Sequence, residues 1–288
     1  MLKTGIISDA YFSFDNYKQG MPVMKAHGYD GFDYQGLGSI KKSPLYAMTD
    51  EEFKAYLTDL KHCAHENGLE IYQLHGTWPH VDDWTEEGRE KTTEYFKKCI
   101  LGATYLDCSK VIVHPFMPNL YFGDTSYDNE KDFEINARML KELAPVARDS
   151  GVTVCFENMP FPKWSVFSYV ENIKKLIRQI NDENIKVCLD VGHFNAEKGD
   201  IYKAITLLGD DLATLHVHDD RYGQDRHLLP FQGETDWDGF VKGLREIGYK
   251  GVLSLETQIQ PKTPQPIRAR MEMELSSMAR YLADAIEK

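Results

Sequence analysis

Histidines and carboxylates recur at the ends of apolar runs in this chain, where they could hold a divalent cation. Gln73-Leu74-His75, Val113-His114, Cys155-Phe156-Glu157-Asn158, Cys188-Leu189-Asp190-Val191-Gly192-His193, Leu215-His216-Val217-His218 and Leu253-Ser254-Leu255-Glu256 all end this way. One such histidine or glutamate alone is ordinarily a satisfied structural group or a solvated loop residue. Six runs repeating the pattern weaken that reading, because gathered charges repel and desolvate one another unless a cation sits among them. The set that best supplies such a site is Glu157, Asp190, His216 and Glu256. Three oxygen donors and one imidazole make a fairly hard site. It suits Mn²⁺ first, with Mg²⁺, Co²⁺ and Zn²⁺ also compatible. Cys155 and Cys188 lie two residues before Glu157 and Asp190, share their facing but sit deeper, and read as core thiols.

Groups from six separate runs converge only if the runs are neighbouring strands. Strands are predicted at Thr4–Ser8, Gly31–Tyr34, Glu70–Leu74, Lys110–His114, Thr153–Glu157, Lys186–Asp190, Thr214–His218 and Val252–Glu256. Helical periodicity falls between them, at Asp15–His27, Asp50–Asn67, Glu86–Tyr105, Lys131–Asp149, Trp164–Ile180, Asn195–Leu208, Asp236–Ile247 and Ile267–Ile286. Strict alternation implies parallel strands joined by helical crossovers. Eight units in 288 residues, with no G-x-G-x-x-G turn after the first strand, favour one closed (β/α)8 barrel over an open doubly wound sheet. The whole chain, residues 1–288, is expected to be that one α/β domain. In such a barrel the C-terminal strand ends carry function, and the ionisable groups lie there.

Composition excludes several classes. Lys plus Arg total 33 against Asp plus Glu 45, a formal net charge of -12, so a general affinity for nucleic acid or anionic membrane is not expected. No apolar run is long enough to span a bilayer. The N-terminal MLKTGIISDAYF lacks signal-peptide features, and the five cysteines are dispersed without a C-x-x-C pair. A cytoplasmic protein with reduced thiols is the expectation.

The motifs FEN (156–158), LDVGH (189–193), HVHD (216–219) and DRHLLPFQGETDW (225–237), in this order and spacing, resemble the xylose isomerase-like barrel superfamily. It contains sugar isomerases and epimerases, dehydratases and zinc AP endonucleases. The resemblance covers nearly the whole chain. It implies Glu157, Asp190, His216 and Glu256 as shared metal ligands and His193 as a substrate-binding histidine. His75, His114, His193, Asp225 and His227 also resemble the extra ligands of the trinuclear AP endonuclease site. His216 and His218 face the same way; the H-x-x-D pattern selects His216, which leaves His218 as a substrate contact nearer the mouth.

The chemistry so implied is isomerisation or epimerisation of a sugar. A cation stabilises the enediolate formed beside a carbonyl, and Glu157 and Glu256 act as the acid/base pair. His193, His75, His114, His218 and Arg226 (or Arg221) would hold substrate oxygens. Trp78, and with it Tyr11, Phe12, Phe14, Phe116, Tyr121 and Trp164, could stack on a sugar ring or simply pack loops. A dehydratase or lyase expelling a leaving group from the same enediolate is the alternative. Cleavage of abasic DNA is disfavoured by charge, and a barrel that binds sugar without turnover is disfavoured by the presence of both glutamates. The aromatic segment 116–129 is expected to close over substrate, and helix Ile267–Ile286 could pack on a second copy in a homo-oligomer.

Overall fold

The computed structural model describes residues 1–78, 82, 84–117, 129–257, 259–260 and 262–288. Eight strands form one parallel sheet: β1 (Lys3–Ile7), β2 (Gly31–Tyr34), β3 (Glu70–His75), β4 (Lys110–Val113), β5 (Thr153–Glu157), β6 (Ile185–Asp190), β7 (Leu212–His216) and β8 (Val252–Leu255). Their order is β7-β6-β5-β4-β3-β2-β1-β8. The ends of that row meet just past the strands, where Val217 N–H donates to Ser254 O (2.8 Å) and Glu256 N–H to Val217 O (3.0 Å). The sheet is thereby a nearly closed barrel, with helices between its strands. These are α1 (Tyr17–Ala26), α2 (Asp50–Glu66), α3 (Glu86–Tyr105), α4 (Asn129–Ser150), α5 (Val170–Ile180), α6 (Val191–Ala196), α7 (Ile201–Leu208), α8 (Trp237–Glu246) and α9 (Gln265–Glu287).

Local chemistry sets the boundaries. Thr49 and Glu52 form a reciprocal capping box at the start of α2, and Gly68 takes a left-handed φ of 67° just beyond its end. Two predicted helices are corrected. Trp164–Ile180 begins late: a 3-10 turn at Val166–Ser168 precedes α5. Asn195–Leu208 divides into α6 and α7, because the Asp200 side chain accepts from Lys203 N–H and starts a new helix. More consequential is that α6 starts directly on β6. The Asp190 side chain caps it by accepting from His193 N–H at 2.6 Å.

Phe32, Phe53, Leu57, Phe96, Ile100, Leu140, Phe156 and Ile173 fill the layer between sheet and helices. All five cysteines are buried free thiols. Within the barrel, however, Asp33, Gln73, Thr214 and His216 are polar and fully buried, in an interior that branched apolar side chains usually fill.

Candidate metal centre at the barrel mouth

Glu157, Asp190 and His216 are the last residues of β5, β6 and β7, and Glu256 follows β8 directly. These four groups each offer a ligand atom, all within 4.8 Å of one another. His216 Nδ1 lies 2.9 Å from Glu157 Oε1, 3.1 Å from Glu256 Oε2 and 4.0 Å from Asp190 Oδ2. Donors about 2.1 Å from a shared ion sit roughly 3.0–3.4 Å apart, so the spacing suits a cation at their centre. One imidazole nitrogen carries at most one proton and cannot bond both glutamates. Glu256 Oε2 is buried and has no hydrogen-bond partner among the described residues. A buried carboxylate oxygen left over in this way fits a metal ligand.

The electrostatics agree with that fit. Burial works against a charged His216 imidazole, but neighbouring Cys188, Glu256 and Glu157 and the Asp33 bond outweigh it and hold its pKa well above the usual value. Burial would raise the Glu157 carboxyl, yet His216 and His114 hold it well below the carboxylate range. Burial also opposes ionised Asp190, and His193 and His218 overcome it, lowering its pKa. For Glu256 burial wins: His216 and His227 pull its pKa down, Glu157 and Asp190 push it up, and it settles at about 7.

Two further donor groups flank the centre. On one side His114 Nε2 stands 3.1 Å from Glu157 Oε2, and the His75 ring stacks on His216 at 5.4 Å. His75, His114 and Glu157 could together hold an ion. On the other side lie His193, His218, Asp225 and His227. Asp225 Oδ1 is 3.3 Å from His227 Nε2 and 3.6 Å from His193 Nε2. His218 and His227 stack at 4.1 Å. His218, two residues past the end of β7, is fully buried with Nε2 2.9 Å from Asp190 Oδ1.

Other expected contacts are distributed unevenly. Trp78 sets its ring edge to face on His114 at 4.9 Å. Arg226 and Arg221 are exposed; what Arg226 contributes is its backbone N–H, which donates to the Asp220 carboxylate. Phe12 and Phe116 are buried in the core. Phe14 stacks on Tyr56, Tyr11 bonds His27, and Trp164 packs on Phe161. Tyr121 and most of segment 116–129 lie outside the described residues.

The motifs have structural work as well. Asn158 of FEN ties β5 to β6, donating to Asp190 O (2.9 Å) and accepting from Asp190 N–H (2.8 Å). Asp219 accepts from Gly233 N–H, Thr235 N–H and Oγ1–H, Trp237 Nε1–H and Asp220 N–H. That clamp fixes the loop carrying Asp225 and His227. Gly233 is required there, since a Cβ would meet Asp219 Oδ1 at 2.3 Å. Asp219→Ala orphans these donors and is expected to cost about 3 kcal/mol or more in urea unfolding; a loss under about 1 kcal/mol would disprove the clamp.

Sequence reasoning missed Asp33 and Gln73. Asp33 Oδ2 lies 2.9 Å from His216 Nε2 and accepts from Gln73 Nε2 at 3.1 Å. An acid inside the short strand GFDY was the available signal.

A cavity of about 250 Å³ opens beside the centre, lined by Asp9, Gln35, Glu256, Thr257, Arg268 and Glu272 among others. A larger groove of about 810 Å³ runs between α4 and α5 and touches none of the donor groups. Among the described residues, no helix is long and apolar enough to cross a membrane.

The chain is 28% identical over 176 residues to the uncharacterized protein MJ1311 of Methanocaldococcus jannaschii, covering 60% of this chain and 59% of that protein. It is 28% identical over 233 residues to the D-psicose 3-epimerase of Ruminiclostridium cellulolyticum, covering 78% of this chain and 74% of that enzyme. The crystal structure of an IOLI protein with a bound zinc atom superposes with a TM-score of 0.74 at 20% identity, covering 99% and 98% of the two chains. The family model for the xylose isomerase-like TIM barrel matches residues 22–277, and the chain belongs to that family.

Proposed function

We propose that the protein is a divalent-metal-dependent sugar isomerase or epimerase. The observation that carries this reading is the convergence of Glu157, Asp190, His216 and Glu256 around one point, with Glu256 also lining the adjoining cavity. The likeness to a D-psicose 3-epimerase supports the substrate class, and the zinc in a structural neighbour supports the cation. Mn²⁺ is the ion we assign first, on the hardness of the donor set.

A bound cation would supply Lewis-acid polarisation of a substrate carbonyl. The chain's own groups do the rest. Glu256 faces the cavity and removes the proton beside the carbonyl; Glu157, held between His114 and His216, passes a proton drawn from its His114 partner to the other face, which inverts the carbon. Return by one carboxylate to the adjacent carbon isomerises instead. His193 and Trp78 stand at the same mouth and would orient the sugar. The same base would also serve β-elimination, so a keto-glycoside lyase is the close alternative, distinguished by an unsaturated product. Incubation of the Mn²⁺-loaded protein with keto-sugars in D₂O should place deuterium beside the carbonyl. No incorporation across a broad panel would remove this reading.

The flanking donor groups favour a second reading, a three-ion centre cleaving phosphodiesters as at abasic DNA. The net charge of -12 argues against a duplex ligand. Counting ions per purified chain separates the two: one is expected, and three with cleavage of abasic DNA would replace the sugar reading.

A further inference from the structure

We propose that Asp33 is a positioning residue that fixes the His216 ring so that Nδ1 faces the cation. The inference rests on the cation site proposed above. Nε2 lies 2.9 Å from Asp33 Oδ2, on the opposite side of the ring from Glu157 and Glu256. A carboxylate there accepts a proton held on Nε2, which leaves the Nδ1 lone pair for a metal and makes that nitrogen a better donor.

Asp33 is itself held in place. Gln73 Nε2–H donates to Asp33 Oδ2, Thr214 Oγ1–H donates to Gln73 Oε1, and Thr214 lies two residues before His216 on β7. The four side chains therefore close a loop across β2, β3 and β7. All four are fully buried, and Asp33 Oδ1 has no hydrogen-bond partner among the described residues. A barrel layer made for packing alone would be apolar. A buried carboxylate with one unsatisfied oxygen is costly, and orienting the imidazole accounts for its presence.

The test uses the full chain with Zn²⁺ alone as a diamagnetic probe. Competition with a chelating dye gives affinity. Nitrogen–proton NMR of labelled histidine rings reports the His216 Nε2–H, identified by its loss in His216→Gln. In the wild type that proton should be shifted downfield and slow to exchange, with or without Zn²⁺. Asp33→Ala should lose it and bind Zn²⁺ roughly 10–100-fold more weakly. Asp33→Asn keeps the volume and an oxygen acceptor, so most of the affinity should return while the resonance moves upfield. Wild-type affinity in Asp33→Ala with the resonance unchanged overturns the proposal. Should Asp33→Ala fail to fold, Asp33→Asn decides: an upfield move supports the proposal and no move overturns it. If the wild type binds no Zn²⁺, the cation reading falls by itself, and the resonance still decides whether Asp33 holds the ring.

Discussion

Glu256→Gln, loaded with Mn²⁺, is expected to lose deuterium incorporation into a keto-sugar by about 10²–10⁴-fold, the usual contribution of a positioned general base. The amide keeps volume and one oxygen donor, so the cation site keeps its shape while the basic oxygen is lost. Glu256 is the natural base of the pair because it borders the cavity, and its side chain is 13% exposed against 1% for Glu157. Since Glu256 is also a proposed ligand, Mn²⁺ affinity must be measured in parallel and the variant assayed at saturation. Undiminished exchange by the saturated variant would exclude Glu256 as the base.

Chelation should reduce turnover to background, and the affinity for the returning ion should climb with pH. The sign follows from the metal-free site. A ligating Nδ1 and an ionised Glu256 must both be proton-free, yet His216 is held above its usual pKa and Glu256 at about 7. Below neutrality one to two protons must therefore leave as the ion enters, and affinity falls by up to about tenfold per pH unit for each. Calorimetry in buffers of different ionisation heat counts those protons; zero release at pH 6 would contradict the ligand set. Stability of the metal-free protein has another dependence. Burial opposes the charged His227, but Asp225 and Glu256 raise its pKa to about 10. Its contribution is complete below the unfolded value of about 6.5 and vanishes as pH rises through about 10. Glu157 and Asp190 are depressed, so theirs is present above the ordinary carboxylate range and disappears on acidification. Metal at about a hundredfold over its Kd adds roughly 2.7 kcal/mol, and a fixed metal concentration adds more as pH rises and Kd falls.

The parts legible in the sequence were those governed by local periodicity. Strands buried on both faces read as apolar runs, helices as three- and four-residue repeats, and their alternation implied a parallel barrel. An ionisable residue closing each run then lies at a strand end, which groups Glu157, Asp190, His216 and Glu256 from the sequence alone. The same logic misplaced what does not follow a period. The end of α6 against the start of α7 depends on which aspartate caps which turn. Phe12 and Phe116 resemble mouth aromatics in one dimension and are core in three.

The chain's pattern alone determined the barrel and the donor types at its rim, because side-chain direction and burial repeat along each element. Only tertiary structure decided that Asp33 stands behind His216, 183 positions away, that Asp219 clamps the loop bearing Asp225 and His227, and that Glu256 rather than Glu157 meets the cavity. Those facts depend on barrel closure and on which buried polar groups find partners across it, and neither is written in any local run of residues.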